Sequence, residues 1–145
     1  MQKVGIVHAL FISQKEIAVP ITKEYIDVDL QGILDDKHYG STPERTVLIT
    51  SLESYALAQN ELGVKMPYGY LGENLLIDYN PYYLELGTQL RVGSAILEIT
   101  QNCTLCNHLA ALDKRIPKLL RKDRGIFAKV VQEGQIKIDD PVYLI

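Results

Sequence analysis

Apolar residues along the chain recur at a period of two or in short runs, broken by glycine, proline and paired polar residues. Side chains alternate faces along a strand, so this pattern predicts many short strands and few helices. Val4 to Ile12 is the first apolar, β-rich run, and His8 inside it reads as a core histidine satisfied by its surroundings. Glu16 to Ile21 is a second short apolar stretch. Tyr25 to Leu30 alternates, with Ile26, Val28 and Leu30 on one face and Tyr25, Asp27 and Asp29 on the other. Thr46 to Ile49 and Asn74 to Tyr79 are further strand candidates. Leu90-Arg91-Val92, Gly93-Ser94 and Ala95 to Thr100 predict a hairpin with a glycine-first turn. Ile126 to Gln132, Gln135 to Ile138 and Val142 to Ile145 close the chain as strands.

Helical signals are local. Thr50-Ser51-Leu52-Glu53 has the form of a capping box, with Thr50 as the cap, and Gly63 offers a stop. Between them Leu52, Tyr55, Ala56 and Leu62 suggest one apolar face, so a helix is predicted over 51–62. Asn107 to Ala111 and Pro117 to Lys122 are shorter candidates, the second with proline in its first turn. Strands outnumber helices, and their regular spacing points to a barrel rather than a βαβ sheet.

Length and composition narrow the class. The 145 residues carry no repeat, linker or low-complexity stretch, so residues 1–145 are expected to form one domain. Fifteen Lys and Arg against eighteen Asp and Glu give a net charge of −3, which argues against nucleic acid as the default partner. No apolar run approaches the roughly 18 residues of a membrane span. The Met1-Gln2-Lys3-Val4-Gly5 start lacks a signal-peptide layout. A soluble cytoplasmic protein with reduced cysteines is the expectation.

Three stretches carry candidate chemistry. Cys103-Thr104-Leu105-Cys106, with His108 just beyond, offers three of the four ligands a zinc site needs. If a helix begins at Asn107, Cys106 lies at its N-terminus, where positive partial charge favours thiolate. Two buried structural cysteines explain the pair equally well. Gly32 to Gly40 contains Asp36 and His38 and leads to Arg45, a bidentate holder of phosphate or carboxylate, or simply one member of a surface ion pair. Gly72-Glu73-Asn74 puts an amide at a strand start, able to donate and accept toward a planar heterocycle, or serving only as a turn residue. Lys114, Arg115, Lys118, Arg121, Lys122 and Arg124 form a basic run, read first as a solvated helix face and otherwise as an attractor of phosphorylated ligands or acidic partners.

Taken in order, these stretches resemble the MOSC domain, the C-terminal domain of molybdenum cofactor sulfurases that also occurs as small stand-alone bacterial proteins. The resemblance runs from Val4-Gly5-Ile6-Val7 through Glu44-Arg45-Thr46-Val47, Gly72-Glu73-Asn74-Leu75 and Leu90 to Ala95, to Gly125…Val130-Val131…Gly134…Asp140-Pro141-Val142. Cys106 stands at the place of the family's single characteristic cysteine. The resemblance implies a mainly β fold, a closed or partly open barrel of the pyruvate-kinase-barrel type with two or three short helices. It further implies association with the molybdenum cofactor (molybdopterin). Cys106 would then carry sulfur or ligate the metal, His38 and Cys103 would complete the reactive set, and Asp36, Arg45, Glu73 and Asn74 would contact the cofactor. Some members take part in reducing N-hydroxylated compounds. Pyridoxal phosphate belongs to a domain of longer relatives and is not expected here.

The sequence departs from the family pattern at several places. Cys103 and Leu105 stand where arginine and proline are usual, and Asp35 and Asp139 replace glycines, which aspartate can do because it tolerates left-handed backbone. Arg91 stands where the family's hairpin residue is acidic or less basic. Implied partners are a small molecule or the cofactor and a cysteine desulfurase or redox protein. Two other classes compete: a thiol–disulfide oxidoreductase using Cys103 and Cys106, and a non-catalytic interaction module that docks through the basic run, to be tested by charge reversal at Arg121 and Lys122, and keeps a vestigial pocket.

Overall fold

The computed structural model describes residues 1–104 and 107–145. Among these, eleven strands and three α-helices form. In chain order they are β1 (Gln2–Ile12), β2 (Ile21–Lys23), β3 (Tyr25–Asp29), β4 (Gly32–Ile33), β5 (Val47–Ser51), α1 (Leu52–Leu62), β6 (Leu75–Ile77), β7 (Gln89–Val92), β8 (Ala95–Asn102), α2 (Asn107–Leu112), α3 (Ile116–Leu119), β9 (Ile126–Gln132), β10 (Gly134–Lys137) and β11 (Pro141–Leu144). A 3-10 turn at Pro43–Arg45 precedes β5. Among the described residues no helix is long and apolar enough to cross a membrane.

The predicted barrel is present. Strands pair in the order β11-β7-β8-β9-β5-β6-β1, and β1 closes the ring on β11. Closure removes the exposed edges that an open sheet would present. Neighbours are antiparallel except β5 and β6, whose parallel pairing is allowed by the crossover through α1. β10, β3 and β4 make a small separate sheet. Along β3 the predicted alternation holds for Ile26 and Val28, which are buried, and fails at Leu30, which lies in the following turn and is 65% exposed.

Two apolar clusters hold the fold. The barrel interior is filled by inward side chains such as Val7, Leu10, Ile49, Leu75, Leu90, Leu97 and Val142. A second cluster, including Tyr55, Ala58, Leu71, Leu76, Leu109 and Leu120, fixes the helices to the outside of the barrel. The buried face of α1 is Ser54, Tyr55 and Ala58 rather than the predicted Leu52, Tyr55, Ala56 and Leu62; Ala56 is exposed. The cap is Ser51, one residue later than expected: its hydroxyl accepts from Glu53 N. Thr50 belongs to the strand and sends its hydroxyl elsewhere. Gly63 ends the helix at φ 67°. Val92 pairs with Ala95, so the hairpin turn is Gly93-Ser94 as expected. Asp35 (φ 68°) and Asp139 (φ 72°) adopt the left-handed backbone that the sequence comparison required of them.

His8 is a correction. It is exposed on the outer side of β1, with its ring edge-on to Tyr68 at 5.3 Å, not a satisfied core side chain.

Candidate functional site

The chain brings distant segments together at one end of the barrel. A cavity of about 210 Å³ is lined by residues that include Lys37, His38, Arg45, Asn74, Cys103 and Arg124. His108, Phe127 and the Leu71-Gly72 backbone complete much of its wall. Cys103 also lines a neighbouring cavity of about 510 Å³, shared with Tyr82, Tyr83, Arg121 and Lys122. A groove of about 540 Å³ beside α1, lined by Leu52, Tyr55, Met66 and Tyr68, contains none of the sequence candidates. Cys106, on which the sequence reading centres, lies outside the described residues.

Asn74 is 4% exposed and acts first as a clamp. Its Oδ1 accepts from Leu48 N at 3.0 Å, and its Nδ2 donates to Phe11 O and to Asp36 Oδ1, both at 3.2 Å. One side chain therefore ties β1, β5 and the loop carrying Asp36. Both amide donors are used on protein, which leaves only spare capacity at Oδ1 for a ligand.

Asp36 is likewise consumed from within. Oδ1 also accepts from Ser13 N at 2.8 Å; Oδ2 accepts from His38 N at 3.0 Å and lies 3.4 Å from His38 Nδ1. Burial alone pushes its carboxyl pKa up. The His38 ring, the two backbone donors and the charge of His38 outweigh that and leave it below the usual carboxylate range. The consequence for His38 is positional: one ring nitrogen is held by Asp36, and the half-exposed ring borders the cavity.

Arg45 ends the 3-10 turn and stands over the Phe127 ring, 4.6 Å from guanidinium carbon to centroid. Such stacking is worth about 0.5–1 kcal/mol at an exposed site and orients the group without using its hydrogen-bond donors. His108 is anchored to Tyr70: Nε2 meets Tyr70 O at 2.8 Å and Tyr70 OH donates to His108 O at 3.0 Å.

Glu73 parts company with its neighbour. Just ahead of β6 the two side chains part: Glu73 is buried beside α1 and is not among the cavity-lining residues. Its Oε2 accepts from Thr50 Oγ1 at 2.7 Å and Tyr55 OH at 2.5 Å. Burial raises its pKa despite those two donors. Tyr55 OH in turn accepts from Gly69 N and Leu71 N, so this cluster fastens α1 to the loop forming the cavity wall.

Arg124 is the residue sequence reasoning placed wrongly. It reads as the end of a solvated basic run, yet it is only 6% exposed and lines the cavity. Nor is the rest of the run one face: Arg115 is paired with Asp113 at 2.7 Å. The available signal was position, because Arg124 directly precedes Gly125 and the apolar strand β9, where a turn hands over to the sheet. Gly125 allows close approach; a Cβ there would meet Leu48 Cδ1 at 3.1 Å and Cys103 Cβ at 3.5 Å. Among the described residues no three His, Cys, Asp or Glu side chains form a metal-holding group.

Comparison with known proteins agrees with this architecture. The MOSC domain profile matches residues 35–143. YuaD from Bacillus subtilis superposes with a TM-score of 0.81 at 18% identity, over 96% of this chain and 94% of that one. YiiM from Geobacillus stearothermophilus gives 0.70 at 20% identity, over 99% of this chain and 74% of that one. YiiM from Escherichia coli gives 0.71 at 19%, over 97% and 69%. At these identities the structural likeness is one of fold. No curated protein matches the chain.

Proposed function

From the premise that the chain belongs to the MOSC domain family, a family associated with the molybdenum cofactor, we propose that it is a cofactor-binding domain. In this reading its cavity holds the phosphorylated pterin of that cofactor and Cys106 supplies the sulfur that faces the metal. The observation that carries this reading is the composition of the cavity wall. Lys37, His38, Arg45 and Arg124 line it, and no Asp or Glu does among the described residues. A wall with that excess of positive charge and donors favours an anionic ligand.

The residues fit such a group chemically. Two nitrogens of Arg124 are buried donors with no acceptor among the described residues, which an anionic group would answer. The volume of about 210 Å³ suits one end of the ligand, and the second cavity beyond Cys103, about 510 Å³, gives the rest room toward Arg121 and Lys122. When bound, the cofactor supplies a two-electron redox centre. Arg45 and Lys37 attract its negative charge from the rim. Asn74 holds Asp36, and Asp36 holds His38 in one orientation. Reduction of an N-hydroxylated compound to an amine and water consumes two electrons and two protons, and His38 is the side chain suited to deliver a proton. Support for the role of Cys106 is indirect: its chain neighbours Cys103 and His108 both line the cavity.

The test is metal and pterin content after expression in a host that makes the cofactor. The wild type should carry both in comparable amounts, Cys106→Ser should lose the metal, and Cys103→Ser should retain more of it. A wild type with neither metal nor pterin contradicts the reading.

A further inference from the structure

Four buried polar atoms lack a partner among the described residues: Glu73 Oε1, Arg91 Nε, and both Nε and Nη1 of Arg124. Only Arg124 contributes two, and of the three residues only Arg124 lines the cavity. Removing an ion from water costs several kcal/mol even after relaxation, and the cost is ordinarily offset by a counter-charge or hydrogen bonds. Asp36, the carboxylate that holds the cavity-lining His38 and Asn74, is occupied by Ser13, His38 and Asn74. Two donors of a fixed cation are thus buried with no acceptor among the described residues.

The loop holds it there. On one side of Arg124, Asp123 O accepts from Ser54 Oγ and Asp123 Oδ1 accepts from Tyr83 OH at 3.1 Å. On the other side, Gly125 O accepts from Cys103 N at 3.0 Å. These contacts fix the backbone on both flanks of Arg124. The guanidinium is planar, and Nε and Nη1 sit on different edges of it, so each edge has an unfilled donor position that a tetrahedral oxyanion can meet.

We propose that Arg124 is the anion anchor of the cavity, taking a phosphate-type oxyanion, with Arg45 and Lys37 as the outer cations that draw it in. This deepens the cofactor reading by naming the residue that grips the anionic group, and it assigns to position 124 the guanidinium that Cys103 does not provide. It also carries a consequence for stability. Without an anion the two buried donors of Arg124 stay unanswered among the described residues, so the anion stabilises the fold through the same contacts that bind it.

The test uses the intact chain and inorganic phosphate, with a phosphate monoester in parallel, against sodium chloride at matched ionic strength. The melting temperature of the wild type should rise saturably with phosphate. Arg124→Met should melt no lower than the wild type without phosphate, and its affinity for phosphate should fall at least about tenfold, the scale expected for losing a charge-assisted contact. Lys114→Met, in the exposed part of the basic run, should keep the full response. Tighter binding of the monoester than of the free ion assigns the site to an esterified ligand; equal binding assigns it to the free oxyanion, and either agrees with an anchoring Arg124. A wild type without a phosphate response overturns the proposal, as does a response undiminished in Arg124→Met or an Arg124→Met that melts lower in phosphate-free buffer. Should that variant fail to fold, the Nε–H resonance of Arg124 in the wild type decides: it should shift saturably with phosphate, and a resonance that stays put refutes the anchor. Phosphate binding without metal or pterin in cells would leave the anchor standing and remove the cofactor reading; loaded cofactor without a phosphate response would do the reverse.

Discussion

Glu73 and Asn74 are adjacent in the chain, and each belongs to a buried polar cluster, but the two clusters differ in kind. On the Glu73 side a carboxyl is surrounded by hydroxyl donors from Thr50 and Tyr55 and shut in beneath α1. On the Asn74 side cations gather around a hollow, and the acid Asp36 is already bound by Ser13, His38 and Asn74. A buried acid ringed by donors makes scaffold. A buried base left without an acceptor makes a receptor. Asn74 joins the two, since it directly follows Glu73 in the chain and its amide reaches Asp36.

That contrast is open to breakage in order of severity. Asn74→Ala strikes both sides: Leu48 N, Phe11 O and Asp36 Oδ1 all lose a partner. At about 1–3 kcal/mol for an unsatisfied buried group, partly relieved by water, the loss should be about 3 kcal/mol in a urea titration, together with loss of phosphate response. Tyr55→Phe strikes the scaffold alone. It should cost about 2 kcal/mol, because Glu73, Gly69 and Leu71 share that hydroxyl, while the phosphate response survives.

The two carboxyls should also respond to pH with opposite signs. Glu73 has a raised folded-state pKa, so its contribution is fully present below about pH 4.5 and falls as pH rises through the folded value. Asp36 is lowered, so its contribution is present above about pH 3.8 and lost as pH falls through the folded value. Unfolding free energies of the wild type, Glu73→Gln and Asp36→Asn across the acid range should therefore diverge from each other in opposite directions; parallel curves would erase the distinction. The smallest effect belongs to Phe127→Leu, which should cost about 0.5 kcal/mol by releasing Arg45 from its stacked position, and should weaken phosphate binding only slightly.

Much of this was legible in the chain where the controlling physics is local. The Gly93-Ser94 turn, the Gly63 stop and the left-handed Asp35 and Asp139 depend on backbone preferences of a few consecutive residues. The barrel was legible because period-two patterning recurs along most of the length. β4, two residues long, is too short to pattern at all. Arg124 was hidden for a different reason. Charge in sequence reads as surface, and whether a guanidinium is buried depends on Ser54, Tyr83 and Cys103 gripping its loop from distant segments. Glu73 and Asn74 lie just ahead of β6, outside any strand, so no period in the sequence foretold their split; which side was cavity and which was scaffold depended on where α1 and the loop after it came to rest.

The most direct test of the receptor reading is a native mass spectrum of the protein taken from a cofactor-producing host. The account predicts the mass of a phosphorylated pterin on the wild type and on Tyr55→Phe, and a largely bare chain for Arg124→Met. A bare wild type, or an adduct that persists undiminished in Arg124→Met, would contradict it.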